Sequence, residues 1–265
     1  MWTTVALLSA LSVTPGQKDL SLTHVRSTLG LLGPQRSNET LSPGDILYVC
    51  FDIEGISVDE QGKVRYSIAL EVSDSSGKVL FKRSLDKSEA KMSLGGNRVP
   101  AYAQISIGSE TPAGEYSYKI TVKDLISGKS KSITRSAKVI AKDFALVRTS
   151  VSVDLDGRYP VVVFGCGQGI WVHSNAVGFM RNRDSKQPHV AFTLRVLDED
   201  GKPIYDKPMT NTVKKDVPDK APAVPMAFPL SLNRPGKFTV EFVARDEISG
   251  KKAKTSFPIT VHSGQ

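Results

Sequence analysis

One phrase occurs twice in the chain, and it limits the architecture more than any other feature. Gly114-Glu-Tyr-Ser-Tyr-Lys-Ile-Thr-Val-Lys-Asp124-Leu-Ile-Ser-Gly128-Lys129 is echoed by Gly236-Lys-Phe-Thr-Val-Glu-Phe-Val-Ala-Arg-Asp246-Glu-Ile-Ser-Gly250-Lys251 at a constant offset of 122 residues. An earlier pair, Ala69 to Lys78 and Leu194 to Lys202, agrees at an offset of 124. Self-similarity at this period means two copies of one domain. The division expected is residues 18–142 and 143–265, with a short spacer around Ala141-Lys142-Asp143.

Each copy reads as strands and turns. Residues 46–53 and 66–72 in the first half, and 190–196 and 238–243 in the second, alternate apolar with polar side chains and are rich in Val, Ile, Tyr and Phe. That is the period of half-buried strands. Asp74-Ser-Ser-Gly77 and Asp198-Glu-Asp-Gly201 supply the Asp and Gly that tight hairpins need, and 124–128 and 246–250 do the same for the last hairpin of each copy. Strands are expected near 20–26, 45–54, 64–73, 78–84, 102–108, 115–123 and 131–140, then again from about 144 to 261. Short strands at such spacings indicate an all-β chain of two tandem antiparallel immunoglobulin-like (Ig-like) β-sandwiches, with a barrel as the alternative. Neither half has the two cysteines of an antibody domain, and Trp171 falls on the second strand of its copy. The long loops are expected at 85–100 and 210–225, the latter rich in Pro and Lys.

The hairpin phrases Pro-Ala-Gly114-Glu-Tyr…Val-Lys-Asp124…Ser-Gly-Lys129 and Arg-Pro-Gly236-Lys-Phe…Arg-Asp246…Ser-Gly-Lys251 carry a resemblance. They are similar to the closing strands of bacterial extracellular Ig-like and macroglobulin-like modules. The chain also resembles tandem Ig-like proteins of the macroglobulin or fibronectin-III kind that some bacteria export. The resemblance spans residues 20–262. It implies fold and export, and carries no active site.

The ends and the charge bear on location and partners. Residues 1–17 hold a short apolar run, then Thr14-Pro15-Gly16-Gln17, with Ala10-Leu11-Ser12 as a small-x-small cleavage site, although no Lys or Arg precedes the run. This reads as a secretory signal segment, so a secreted, periplasmic or cell-surface location is expected. No stretch reaches the roughly 18 apolar residues of a spanning helix. Formal charge is +8, divided evenly as +4 on each half, and no block of like charge stands out. Specific nucleic-acid binding is therefore not expected.

A search for chemistry returns little. Gly128-Lys129-Ser130 lacks the earlier glycine of a phosphate loop. The turn acids at 154–157 and 198–201 lack the spaced ligands of a calcium loop. His24, His173, His189 and His262 show no zinc spacing, and no base frames Ser174 as a nucleophile. Cys50 and Cys166 are expected as free thiols, the glycine-flanked Cys166 being the more reactive. No catalytic residue, metal site or cofactor is expected. The candidate contact residues are Lys214 and Lys215 in the 210–225 loop, Trp171, and the acids Asp52 and Glu54, which alternation puts on one strand face.

The expectation is thus a non-catalytic extracytoplasmic protein that binds or assembles, its partner an envelope protein or an anionic glycan. The competing reading is a glycan- or calcium-binding accessory module of a hydrolase system, built around Asp52, Glu54 and Trp171.

Overall fold

The computed structural model describes residues 19–264, so the candidate signal segment 1–17 lies outside the described residues. Among them every regular element is a strand. The first repeat contains β1 (Ser21–Thr28), β2 (Thr40–Leu41), β3 (Ile46–Glu54), β4 (Lys63–Asp74), β5 (Val79–Lys91), β6 (Arg98–Ser106), β7 (Gly114–Asp124) and β8 (Ser130–Val139). The second contains β9 (Ala145–Ser152), β10 (Phe164–Gly165), β11 (Gly169–Val177), β12 (Val190–Leu197), β13 (Met209–Val213), β14 (Ala223–Ser231), β15 (Gly236–Asp246) and β16 (Lys252–His262).

Each repeat is a sandwich of a three-stranded and a five-stranded sheet. The orders are β1-β3-β6 over β2-β8-β7-β4-β5, and β9-β11-β14 over β10-β16-β15-β12-β13. Strand for strand the second repeat copies the first, an Ig-like layout used twice. Alternation drives it: on β3, Leu47, Val49, Phe51 and Ile53 face inward, and on β15, Val240, Phe242 and Ala244 do the same. Each large side chain so buried contributes about 1.5–3 kcal/mol. In the second core, Phe242 meets Phe192 and Phe228 edge-on at centroid distances of 6.2 and 5.5 Å.

Three details depart from the sequence expectation. The pairings of β2 with β8 and of β10 with β16 are parallel. Both involve two-residue strands, too short to leave a periodicity. Residues 85–100 are not one loop, because β5 runs on to Lys91. Residues 210–225 likewise hold most of β13 and the start of β14. β5 and β13 are sheet edges, and most of the side chains described on them are exposed, so the apolar alternation that marks a strand is muted there.

A bulge recurs at one place in both repeats. Register slips between Thr23 and Arg26 on β1 and opposite His173 to Asn175 on β9, where His24 and Arg148 take φ of 50° and 53°. The β9 bulge joins the repeats. Its Arg148 N–H donates to Asp45 Oδ1 at 2.8 Å and its Nε to the Gly44 carbonyl at 3.0 Å. Asp45 is buried and also takes Arg36 Nη2 at 2.8 Å. Leu29, from the first repeat, is packed into the core of the second. Gly30 beside it has φ of +73°, and a Cβ there would stand 2.6 Å from the Ser150 Cβ. The close approach and the left-handed backbone both require glycine.

Candidate functional site

A three-stranded sheet cannot cover a five-stranded one. In the first repeat the uncovered strip is the inner face of β4 and β5, and a cleft of about 870 Å³ opens there, between the outer edges of β5 and β6. β4 lends Tyr66, Ile68 and Val72 to its wall, β5 lends Leu80, Phe81, Arg83 and Lys87, and β6 lends Ala101, Ala103 and Ile105. Tyr118 of β7 lies deeper, its hydroxyl donating to Glu39 Oε2 at 2.7 Å. Burial and the Glu39 carboxylate together hold the Tyr118 phenol far up from its ordinary pKa of 10.0, so it stays protonated. Burial also raises the Tyr66 phenol, against a hydrogen bond with Ser88 that lowers it.

The electrostatics of the cleft are one-sided. Among the described side chains none that lines it is a carboxylate, and neither Arg83 nor Lys87 has an acidic partner. Their neighbours on the same two strands do pair, Lys82 with Glu71 and Lys63 with Glu89.

The second repeat has the same cleft in reduced form. About 480 Å³ opens between β13 and β14, lined by Leu194, Tyr205, Met209, Leu230 and Phe238 together with Arg195, Lys207 and Arg234, again without a carboxylate. The Arg234 guanidinium lies over the Phe238 ring at 4.7 Å. The smaller volume has a residue-level cause. The strand pairings make Ala101 and Ala103 of β6 equivalent to Met226 and Phe228 of β14, all inward and buried. Two alanines leave open the space that a methionine and a phenylalanine fill.

The residues singled out by sequence lie elsewhere. Asp52 and Glu54 share the outer face of β3, but Asp52 is buried and its Oδ2 meets Arg98 Nη2 at 2.5 Å and His24 Nδ1 at 3.0 Å. Glu54 takes the Thr23 hydroxyl at 3.0 Å. The β1 bulge brings His24 to this cluster. Among the described residues no three His, Cys, Asp or Glu side chains gather as a metal site would need.

Trp171 is half-buried on the outer face of β11, between Ser152 and Pro229, and does not pack between the sheets. It stands in the other repeat from Asp52 and Glu54, on another sheet, so the three do not form one surface. Lys214 and Lys215 are exposed just past β13, Lys215 lying 4.0 Å from Asp216, and neither lines the cleft. Cys50 is buried beside the Thr28 hydroxyl at 3.4 Å, Cys166 is half-buried, and both are free thiols.

Sequence reasoning missed the cleft residues Arg83, Lys87, Ala101 and Ala103. One signal was available: aligning the repeats strand by strand shows small residues in one copy where the other has large ones.

No family model matches the chain, and no curated protein does. Among solved structures, it is similar to the C-terminal domain of the Streptococcus agalactiae AgI/II polypeptide BspA, at 11% identity and a TM-score of 0.31, covering 89% of this chain and 99% of that one. Red sea bream transglutaminase matches at 10% identity and 0.27, over 94% of this chain and 32% of that one. The Pseudomonas fluorescens alkylpurine DNA glycosylase AlkC, solved with DNA containing an abasic-site analogue, matches at 9% and 0.31, over 46% and 30%. Superpositions this loose transfer neither an activity nor a partner.

Proposed function

We propose that the protein is a non-catalytic binding or assembly protein that acts outside the cytoplasm, secreted, periplasmic or at the cell surface, and that the cleft of the first repeat receives its partner. One observation carries this reading: an apolar cavity of about 870 Å³, open to solvent, whose wall holds two cations and, among the described side chains, neither a carboxylate nor an acidic partner for either of them. Cavities that merely reflect imperfect packing are small and closed, because interiors reach crystal-like density. A chain that keeps an apolar cleft of this size open bears the cost of exposed apolar surface, and a ligand that fills it removes that cost. The amino-terminal run at residues 1–17 supports the location.

The test is titration with anilinonaphthalene sulfonate, an apolar fluorophore with one negative charge. Wild type is expected to bind it with a rise in fluorescence. Ala103→Phe, which places the second repeat's residue in the first, is expected to weaken that binding at least tenfold while leaving cooperative unfolding intact. Unchanged affinity in a folded Ala103→Phe protein would show that the probe sits elsewhere and that the cleft is not the site.

A further inference from the structure

We propose that the first-repeat cleft takes an extended, acidic-flanked segment of another polypeptide as a fourth strand beside β6. The inference rests on the cleft being a binding site and adds what fills it. Three independent features lead there.

The first is the missing strand. β6 ends its sheet, so one whole side of its backbone has no ladder partner among the described residues, and the strip of β4 and β5 opposite has no strand over it. A strand laid along β6 satisfies both at once: its backbone continues the ladder, and every second side chain points into the cavity.

The second is a difference between the repeats at that edge. Edge strands are commonly blunted by proline, which removes an N–H from the free side. β6 and β14 carry Pro100 and Pro225 at equivalent positions, but β14 has a further Pro229 two residues past its middle, where β6 has Gln104. The edge that is blunted also carries Met226 and Phe228, buried where β6 has Ala101 and Ala103. The first repeat lacks both obstructions. Tyr102 to Ser106 thus offers an unblocked edge of five residues, about 17 Å at 3.3 Å per residue.

The third is charge. Arg83 and Lys87 border the cavity with no acidic partner among the described side chains, so an incoming strand bearing Asp or Glu at its flank meets them favourably, and a basic one does not. A fatty acid or similar amphiphile shares the apolar and anionic character but makes no use of the open edge.

The test uses the whole chain and a synthetic nonapeptide of alternating valine and threonine with a glutamate at each end, followed by calorimetry and by hydrogen exchange of the β6 amides. Wild type is expected to bind the peptide, with slowed exchange at residues 102–106. Gln104→Pro, which the fold tolerates at the equivalent Pro229, is expected to weaken the peptide at least tenfold while leaving anilinonaphthalene sulfonate binding unchanged. Arg83→Glu with Lys87→Glu is expected to weaken the acidic peptide and spare a version with lysine ends. Equal peptide affinity in Gln104→Pro would overturn strand addition at β6 and leave the cleft standing as a site. Binding of decanoate but no binding of the peptide at about 1 mM would overturn it in favour of an amphiphile. Failure of the fluorophore as well would remove both readings.

Discussion

Asp124 and Asp246 perform one task twice. Each carboxylate closes its own hairpin, Asp124 accepting from Ile126 N and the Ser127 hydroxyl, Asp246 from Ile248 N and the Ser249 hydroxyl. Each also reaches across the sandwich to a backbone N–H after the second long strand, Ser57 at 3.0 Å and Met180 at 2.9 Å. Burial opposes the charge at both sites, but the hydroxyl and N–H donors outweigh it and hold both acids below the ordinary value of 3.8. A depressed carboxylate stabilises the fold above its unfolded pKa, and that contribution is lost as pH falls through the folded value. The contribution of these two acids is therefore expected to be complete down to about pH 4 and to be lost below that. Asp246→Ala should cost about 3 kcal/mol at pH 7 by stranding buried donors, and the cost should shrink on acidification. Urea melts at pH 7, 4 and 3 check this; a cost independent of pH would mean the charge contributes nothing. The local half of this device is legible in sequence, since Asp-x-x-Ser-Gly is a turn signal. The tie to Ser57 or Met180 is not, because no periodicity reports which distant N–H a carboxylate will meet. The same limit hid the partners of Asp52: alternation places it with Glu54, while His24 arrives through a bulge that breaks the alternation.

At the scale of elements, what was legible follows burial on one face. Strands with one buried face, such as β7, β12 and β15, stand out by alternation; the limits of β7 and β12 lie within a residue of those expected, while β15 runs beyond 238–243 at both ends. The sequence predicts β5 only over 78–84, whereas it runs on to Lys91, and β13 falls where a loop is expected, since an edge strand that borders a cleft buries little on either side. β5 also exposes Val79, Leu80 and Phe81 in a row at a free edge, each about half exposed. Such a run is a template for unwanted pairing, and Lys82 and Arg83 follow it immediately. Charged residues on an edge oppose stacking of one copy on another. Replacing Lys82 and Arg83 with threonine is expected to leave unfolding free energy within about 0.5 kcal/mol, since the Lys82–Glu71 pair is exposed. It is expected to produce concentration-dependent dimers and larger species in sedimentation. A variant that stays monomeric would show that edge charge is not what keeps β5 unpaired.

Across the whole molecule, the sequence repeat predicts two units joined by a few residues, and the structure adds a second connection. Residues 29–45 of the first repeat close on β9 through Gly30, the Asp45 carboxylate and, above all, Leu29. Sequence could not show this, because a leucine in a turn carries no sign of which core it enters. Each repeat nonetheless holds a contiguous apolar cluster around its own β3 or β11, so residues 18–142 and 143–265, expressed separately, are each expected to unfold cooperatively. The 143–265 fragment loses Leu29, and burial of one leucine is worth about 1.5–3 kcal/mol. It should therefore be less stable alone than within the full chain. The same logic makes a sharper test inside the intact protein. Leu29→Ala alters a first-repeat residue, yet the cavity it leaves belongs to the second core, so the unfolding transition of the second repeat should fall by about 2–4 kcal/mol while that of the first hardly moves. Assigning the two transitions by comparison with the fragments decides the matter. A fall confined to the first repeat would place Leu29 in the wrong core, and fragments that never fold alone would make the chain a single interlocked domain.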